Sequence, residues 1–239
     1  YEGTKMDMTK DLGAGSHGCP YRWRPMYFEV DGVEYCNERA TATQQTGFWF
    51  VAQARPEKQG IIWFGTDDAA TSPLTPIYAN STEIPWCFSI DNGSMLNYSD
   101  ESMFWITNRI AQFAYLRYDL IGKSVRTAID LWENKMLELV EKKDVQLANV
   151  AYKPKKAAKL ATEFSLNAAQ ELFNKWKALD KFLMVKYIDG NVKSQDEQGR
   201  FIENGNGKDI LAQIQQPGYS EAWKRMVAAD NGEVLKVVK

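Results

Sequence analysis

Asn37-Glu38-Arg39-Ala40-Thr41-Ala42-Thr43-Gln44-Gln45-Thr46-Gly47-Phe48-Trp49-Phe50-Val51-Ala52-Gln53 is the stretch on which the reading of the fold turns. β-Branched and aromatic residues crowd it and no proline interrupts it, so propensity predicts a long strand, or two collinear strands kinked at Gly47. With the two-residue period of a strand, Ala40, Ala42, Phe48, Phe50 and Ala52 share one face, while Thr41, Thr43, Gln45 and Gln53 share the other. One face is oily; the other carries hydroxyls and amides. Neutral groups of that kind serve as an inner sheet face or as the wall of a pocket for a peptide-like ligand. Buried polar groups ordinarily find protein partners, which favours the first use.

Upstream of this stretch, residues 26–30 and 33–36 flank Asp31-Gly32, a two-residue hairpin signal because both turn positions need positive φ. Residues 1–25, with Gly13, Gly15, Gly18, Pro20 and Pro25, read as an extended or looping lead-in. Downstream, residues 61–65 are continuously apolar, the pattern of a strand covered on both faces. Asp67-Asp68 follows at once. Adjacent strand residues point to opposite faces, so a turn-forming Asp over residues 69–72 is expected rather than an acid/base or metal pair. Residues 74–84, with Pro76, read as an edge strand and a rim loop. Asn80, Thr82 and Glu83 on that loop either face a substrate, with the carboxylate binding a peptide's amino end, or simply form a hydrogen-bonded rim.

The period changes at Ser99-Asp100-Glu101, a capped helix start with acidic residues in the first turn. Met103, Ile106, Ile110, Phe113 and Ala114 mark a helix to about Leu120, interrupted at Gly122. Val125, Ile129, Trp132, Met136 and Leu139 mark a second. A third starts near Pro154 and carries Ala161, Phe164, Ala168, Leu172, Trp176, Leu179 and Leu183. All three stripes read as core. A polar section from Gly190 to Gly207 is expected to hold a surface hairpin around Arg200-Phe201-Ile202, and Ser220 caps a short last helix with Trp223 and Met226. The fold class is therefore α+β, strand-rich over residues 26–90 and helical over 99–189, with a hairpin and terminal helix over 194–239. A single domain over 1–239 is the economical reading.

Of the 239 residues 44% are hydrophobic and 13% aromatic, with eight tryptophans, enough for a substantial core. The net charge of −2 lacks the basic footprint that a phosphate backbone requires, so no nucleic acid is expected as partner. No stretch approaches the ~20 apolar residues of a membrane span. Cys19, Cys36 and Cys87 are too widely spaced for a zinc knuckle or a redox CxxC, and neither metal nor cofactor is expected. His17 lies two residues from Cys19, but a glycine-rich loop holds a general base poorly.

Three blocks resemble the peptidase family C69 dipeptidases, which are N-terminal-nucleophile (Ntn) hydrolases: residues 39–47, residues 60–70 with Trp63-Phe64-Gly65-Thr66-Asp67-Asp68, and Ser81-Thr82-Glu83-Ile84-Pro85. The likeness continues through Phe113-Ala114-Tyr115-Leu116-Arg117-Tyr118 and Asn174-Lys175-Trp176 to Gln216-Pro217-Gly218-Tyr219-Ser220. It implies an α-β-β-α sandwich and hydrolysis of dipeptides by a cysteine at the mature amino terminus whose own α-amino group is the base. This chain opens with Tyr1-Glu2-Gly3. It is therefore expected to be the carboxy-terminal portion of a longer enzyme, inactive without the nucleophile-bearing half as partner. Homo-oligomerisation is compatible with the sequence, and the resemblance leans toward an exported bacterial protein. Arg39 is the best carboxylate partner for a dipeptide, with Thr41, Thr43, Gln44, Gln45 and Thr46 as pocket wall. Two rivals are a peptide- or carbohydrate-binding module using exposed Trp23, Trp49 or Trp86, and a hydrolase complete in itself using Cys19 and His17.

Overall fold

The computed structural model describes residues 3–202 and 214–237. Tyr1, and the part of the expected polar hairpin section beyond Ile202, lie outside them. Antiparallel sheets occupy the N-terminal half and helices the C-terminal half, and the chain forms two compact units.

The larger unit comprises Ala42–Ala114 and Gly122–Lys181. Its sheet has three antiparallel strands, β1 (Phe48–Gln53), β2 (Ile61–Thr66) and β3 (Thr75–Tyr78), in that order. Register places Phe50 opposite Phe64, Val51 opposite Trp63, and Ile62 opposite Ile77. One face therefore carries Ile61, Trp63, Gly65 and Tyr78, all buried. Gly65 is glycine because a Cβ there would lie 2.6 Å from Trp49 Nε1 and 2.9 Å from Pro73 O. The opposite face carries Phe48, Phe50 and Ile62, exposed at 60%, 55% and 42%.

Three helices, α1 (Met103–Leu116), α2 (Lys123–Ala148) and α3 (Pro154–Tyr187), supply the core stripes. Met103, Ile110, Val125, Ile129, Trp132, Met136, Leu172 and Trp176 are almost fully buried, each large apolar side chain stabilising by about 1.5–3 kcal/mol. Polar bonds fix the register of helix on sheet. Trp132 Nε1 donates to Leu74 O at 2.9 Å, the Leu74 amide donates to Glu133 Oε1 at 3.0 Å, and the Tyr78 amide donates to Ser165 Oγ at 3.1 Å. The strongest tie is a bidentate ion pair: Arg55 reaches Asp144 on α2 at 2.6 and 3.0 Å, and Tyr78 Oη donates to Asp144 Oδ1 at 2.9 Å.

The smaller unit comprises Tyr1–Thr41, Tyr115–Ile121 and Phe182–Lys239. Its hairpin, β4 (Tyr27–Val30) with β5 (Val33–Cys36), closes through Asp31 and Gly32 at φ 52° and 79°, as the Asp-Gly signal predicts. The lead-in holds 3-10 turns over Leu12–His17. Buried Arg22 anchors it, bonding Asp11 Oδ1 at 2.5 Å, Glu38 Oε2 at 3.2 Å and the Met8 and Cys19 carbonyls. A two-residue ladder pairs β6 (Val192–Lys193) with β7 (Ile214–Gln215), and a bridge joins Gln195 to Phe201. The last helix, α4 (Glu221–Leu235), is capped by Ser220, whose Oγ accepts the Trp223 amide.

Three expectations need correction. The strand predicted over residues 37–53 exists only as β1; Thr43 to Thr46 form a turn closed by the Thr46 amide on Thr43 O at 3.1 Å. Thr46 Oγ1 also bonds to Thr43 O, and such local side-chain bonding competes with a ladder. The strand at 61–66 is not covered on both faces, because Ile62 is open among the described residues. Gly122 does not break the helical course: a π-helical turn over Tyr118–Gly122 carries it into α2 with Gly122 in helical φ/ψ.

Asp144 is the test of how sheet and helix are joined. Asp144→Ala leaves the partly buried Arg55 and the buried Tyr78 hydroxyl without their carboxylate, and is expected to lower unfolding stability by about 3 kcal/mol in urea titration. A loss under about 1 kcal/mol would contradict that role.

Candidate functional site

The open end of the three-stranded sheet holds a cavity of about 300 Å³, next to the turn that carries four of the expected wall residues. Its floor is β1 and β2 through Gly47, Phe48, Phe64 and Thr66; its far wall is the start of α1, through Phe104 and Trp105. Aromatic contacts set the walls: Phe48 stacks on Phe64 at 5.9 Å, Phe64 meets Phe88 edge-on at 5.2 Å, and Phe104 meets Trp105 at 5.4 Å. The loop that closes it is pinned by Asn92. Asn92 Nδ2 donates to Trp86 O and Glu101 O, its Oδ1 accepts Ser99 Oγ at 2.6 Å, and Trp105 Nε1 donates to Asn97 O at 3.1 Å. No charged side chain lines the cavity.

Immediately behind this wall sits Asp67, which sequence reasoning paired with Asp68. The two separate as the alternating period requires. Asp68 makes the expected turn, accepting the Ala70 and Thr71 amides at 2.8 and 3.2 Å and Thr71 Oγ1 at 2.6 Å. Asp67 is buried at φ 69°, a conformation that Asp and Asn tolerate and most residues do not. Its amide donates to Gly47 O at 3.0 Å and Asn108 Nδ2 donates to its Oδ1 at 3.1 Å, while Oδ2 has no partner among the described residues. Burial first, and the Asp68 charge second, push its carboxyl up to about 7. Strained backbone and an unsatisfied buried oxygen tend to collect at functional sites.

The expected wall residues are placed as follows. Thr43 and Thr46 face each other across their turn, with Thr46 Oγ1 donating to Thr43 O at 2.7 Å; Gln44 and Gln45 occupy its corner. On the rim loop, the Thr82 amide donates to Thr162 Oγ1 at 2.9 Å, Glu83 is exposed, and Asn80 Oδ1 is buried without a partner among the described residues. Arg39 and Thr41 belong to the smaller unit and both are exposed.

That unit holds a second polar cluster that composition does not reveal. Arg117, buried, donates to Gly190 O at 3.0 Å and Gly218 O at 2.9 Å. Asp119 Oδ1 lies 3.6 Å from Arg117 Nε and 3.9 Å from His17 Nδ1, and the His17 ring lies 5.3 Å from that of Tyr219. Burial, aided by Arg117 and opposed by Asp119, pulls His17 below its ordinary value and favours the neutral ring. Residues 115–118 and 216–220, both parts of the resemblance, thus meet around the only histidine, beside a π-helical turn of the kind frequent at functional sites. The signal in the sequence was the motif arginine Arg117.

The imidazole faces Asp119 and Tyr219, and the three cysteines form no disulfide. Burial pushes the Cys87 thiol up to about 12, so Cys87 is an inert part of the cavity wall. Among the described residues no group of three or more His, Cys, Asp and Glu could hold a metal ion, and no described helix is long and apolar enough to cross a membrane. Of the tryptophans raised as a binding platform, Trp49 bonds Ser72 Oγ and Trp86 bonds Gln170 Oε1, while Trp23 is 58% exposed beside Tyr115.

A model of peptidase family C69 matches residues 1–130, just over half of the chain, and takes in the hairpin, the whole three-stranded sheet, the cavity and Asp67. No curated protein matches the chain.

Asp67 carries a pH signature. Its folded pKa is raised, so the folded state holds a proton that the unfolded chain releases, and stability falls as pH rises from about 4 to about 7. The full shift corresponds to roughly 4 kcal/mol. Asp67→Asn, neutral at every pH and suited to positive φ, is expected to flatten that slope and to exceed the parent by about 2–4 kcal/mol at pH 8 in chemical denaturation. An unchanged slope would show that Asp67 ionises freely.

Proposed function

Because this chain belongs to peptidase family C69, we propose that it is the pocket-bearing portion of a cysteine-type dipeptidase. The observation that carries this reading is the family match across the sheet and the cavity. Family membership makes the protein a peptidase; the choice of dipeptides and the N-terminal-nucleophile mechanism are our reading. In it, the thiolate of a cysteine at the mature amino terminus attacks the amide carbon, its own α-amino group takes the proton and passes it to the leaving amine, and water resolves the acyl-enzyme.

The attacking group comes from outside residues 1–239. Cys87 is buried and held neutral, Cys36 is an exposed thiol at a strand end, and the imidazole that would serve Cys19 faces Asp119 and Tyr219. We place the nucleophile-bearing half on the open sheet face of Phe50 and Ile62, where apolar side chains stand exposed beside the cavity. Such a layer fits the second sheet of the sandwich that the resemblance implies.

In the larger unit, exposed Glu83 receives the amino end of the substrate; in the smaller unit, Arg39 is exposed, permanently charged and able to grip a carboxylate. The turn of Thr43, Gln44, Gln45 and Thr46, which runs into Gly47 of the cavity floor, lines the approach.

The test is activity. The 239-residue chain is expected to show no turnover of Ala-Ala, and Arg39→Met in the intact protein is expected to lower kcat/KM on dipeptides by at least tenfold. Turnover by this chain alone would overturn the assignment of the nucleophile; a loss below about threefold, about 0.7 kcal/mol, would remove Arg39 from the site.

A further inference from the structure

Gly47 poses a question that its backbone does not answer. Its φ lies outside the left-handed region, so any residue could adopt its conformation, and a Cβ built there meets no atom within 4 Å. Glycine is needed neither for the turn nor for packing. What it leaves unfilled is space on the cavity floor, between the Thr43–Thr46 turn and Phe48. That cavity is walled by five aromatic rings and bordered by exposed Met95 and Ile90.

We propose that this cavity is the side-chain subsite of the peptide substrate and that it takes one bulky apolar side chain, phenylalanine or leucine in kind. The inference rests on the peptidase reading and names its substrate class. Volume decides how much of the substrate enters. About 300 Å³, the lower end for ligand pockets, gives room for one large apolar side chain. Charge decides its chemistry: with no charged lining residue, a lysine or glutamate side chain would be desolvated without a partner. Rigidity decides how selective it is. The Asn92 bonds and the ring contacts hold the walls before anything binds, so no ordering cost is added on binding. Beside it, β1 pairs only with β2 among the described residues, which leaves its outer edge open for an extended peptide backbone.

The experiment has two arms. In the first, N-acetyl-phenylalaninamide and N-acetyl-lysinamide are titrated into the 239-residue chain and followed by nuclear magnetic resonance. Saturable binding of the phenylalanine probe at least tenfold tighter than the lysine probe is expected. Gly47→Leu, which fills the floor, is expected to weaken it at least tenfold and Gly47→Ala by less; Met95→Lys, at an exposed rim position, repeats the test without touching the floor. In the second arm, the intact protein is assayed on Ala-Phe, Ala-Leu and Ala-Ala with their reversed-order partners, and Gly47→Leu is expected to cut the preference for the bulky side chain at least tenfold. Probe binding that survives both Gly47→Leu in a folded chain and Met95→Lys within twofold overturns the subsite. So does cleavage whose bulky-to-small ratio Gly47→Leu leaves unchanged. Blocked probe binding in a protein that cleaves no peptide keeps the apolar site and removes the peptidase reading instead.

Discussion

The buried carboxylate of Asp144 determines which side of the sheet is closed. It receives both nitrogens of the Arg55 fork and the Tyr78 hydroxyl, and so ties the β1–β2 connection and the edge strand β3 to α2. Taking two charges out of water is costly, and the pair is stable only because its geometry is complete. With Ile61, Trp63 and Tyr78 bound against the helices, alternation along β1 and β2 turns Phe48, Phe50 and Ile62 to the other face, which α1 and Phe88 cover only at its Phe64–Thr66 end. Phe48, Phe50 and Ile62 are exposed as a consequence, and the aromatic cavity forms where α1 begins to curl over that face.

Chemistry follows from the same asymmetry. On the covered face, Tyr78, Ser165 and Trp132 bond sheet to helix. The uncovered end holds the groups that are not spent: the strained, half-satisfied Asp67, the glycine floor at Gly47 and the open strand edge. The one cysteine in the cavity wall, Cys87, is held neutral by its burial.

Much of this was legible in residue order. The Asp31-Gly32 hairpin, the edge strand at Pro76, the turn at Asp68, the three helical stripes and the Ser220 cap all follow from local rules, and the grouping of Phe48 and Phe50 on one face follows from the strand period. The length of the first strand was not legible, because the threonines at 41–46 score as strand formers, yet Thr46 bonds to the Thr43 carbonyl and closes a turn. Nor was the exposure of the oily face, since periodicity shows which residues share a side and not whether anything covers it. The cavity was hidden for a related reason: its walls come from β1, β2, the 3-10 turn at Trp86–Phe88 and α1, which only the folded chain assembles. Asp67 was seen but discounted, as its neighbour's role as turn former explained the pair too easily.

The account stands most directly on where a substrate side chain goes. A dipeptide carrying a diazirine analogue of leucine, irradiated in complex with the intact protein and mapped by mass spectrometry, reads this without relying on turnover. Label is expected on the segments around Gly47 and Phe48 and around Met95 to Trp105, competed by Ala-Leu. Saturable label confined to the Arg117 and Tyr219 cluster, or label that Ala-Leu does not displace, would contradict it.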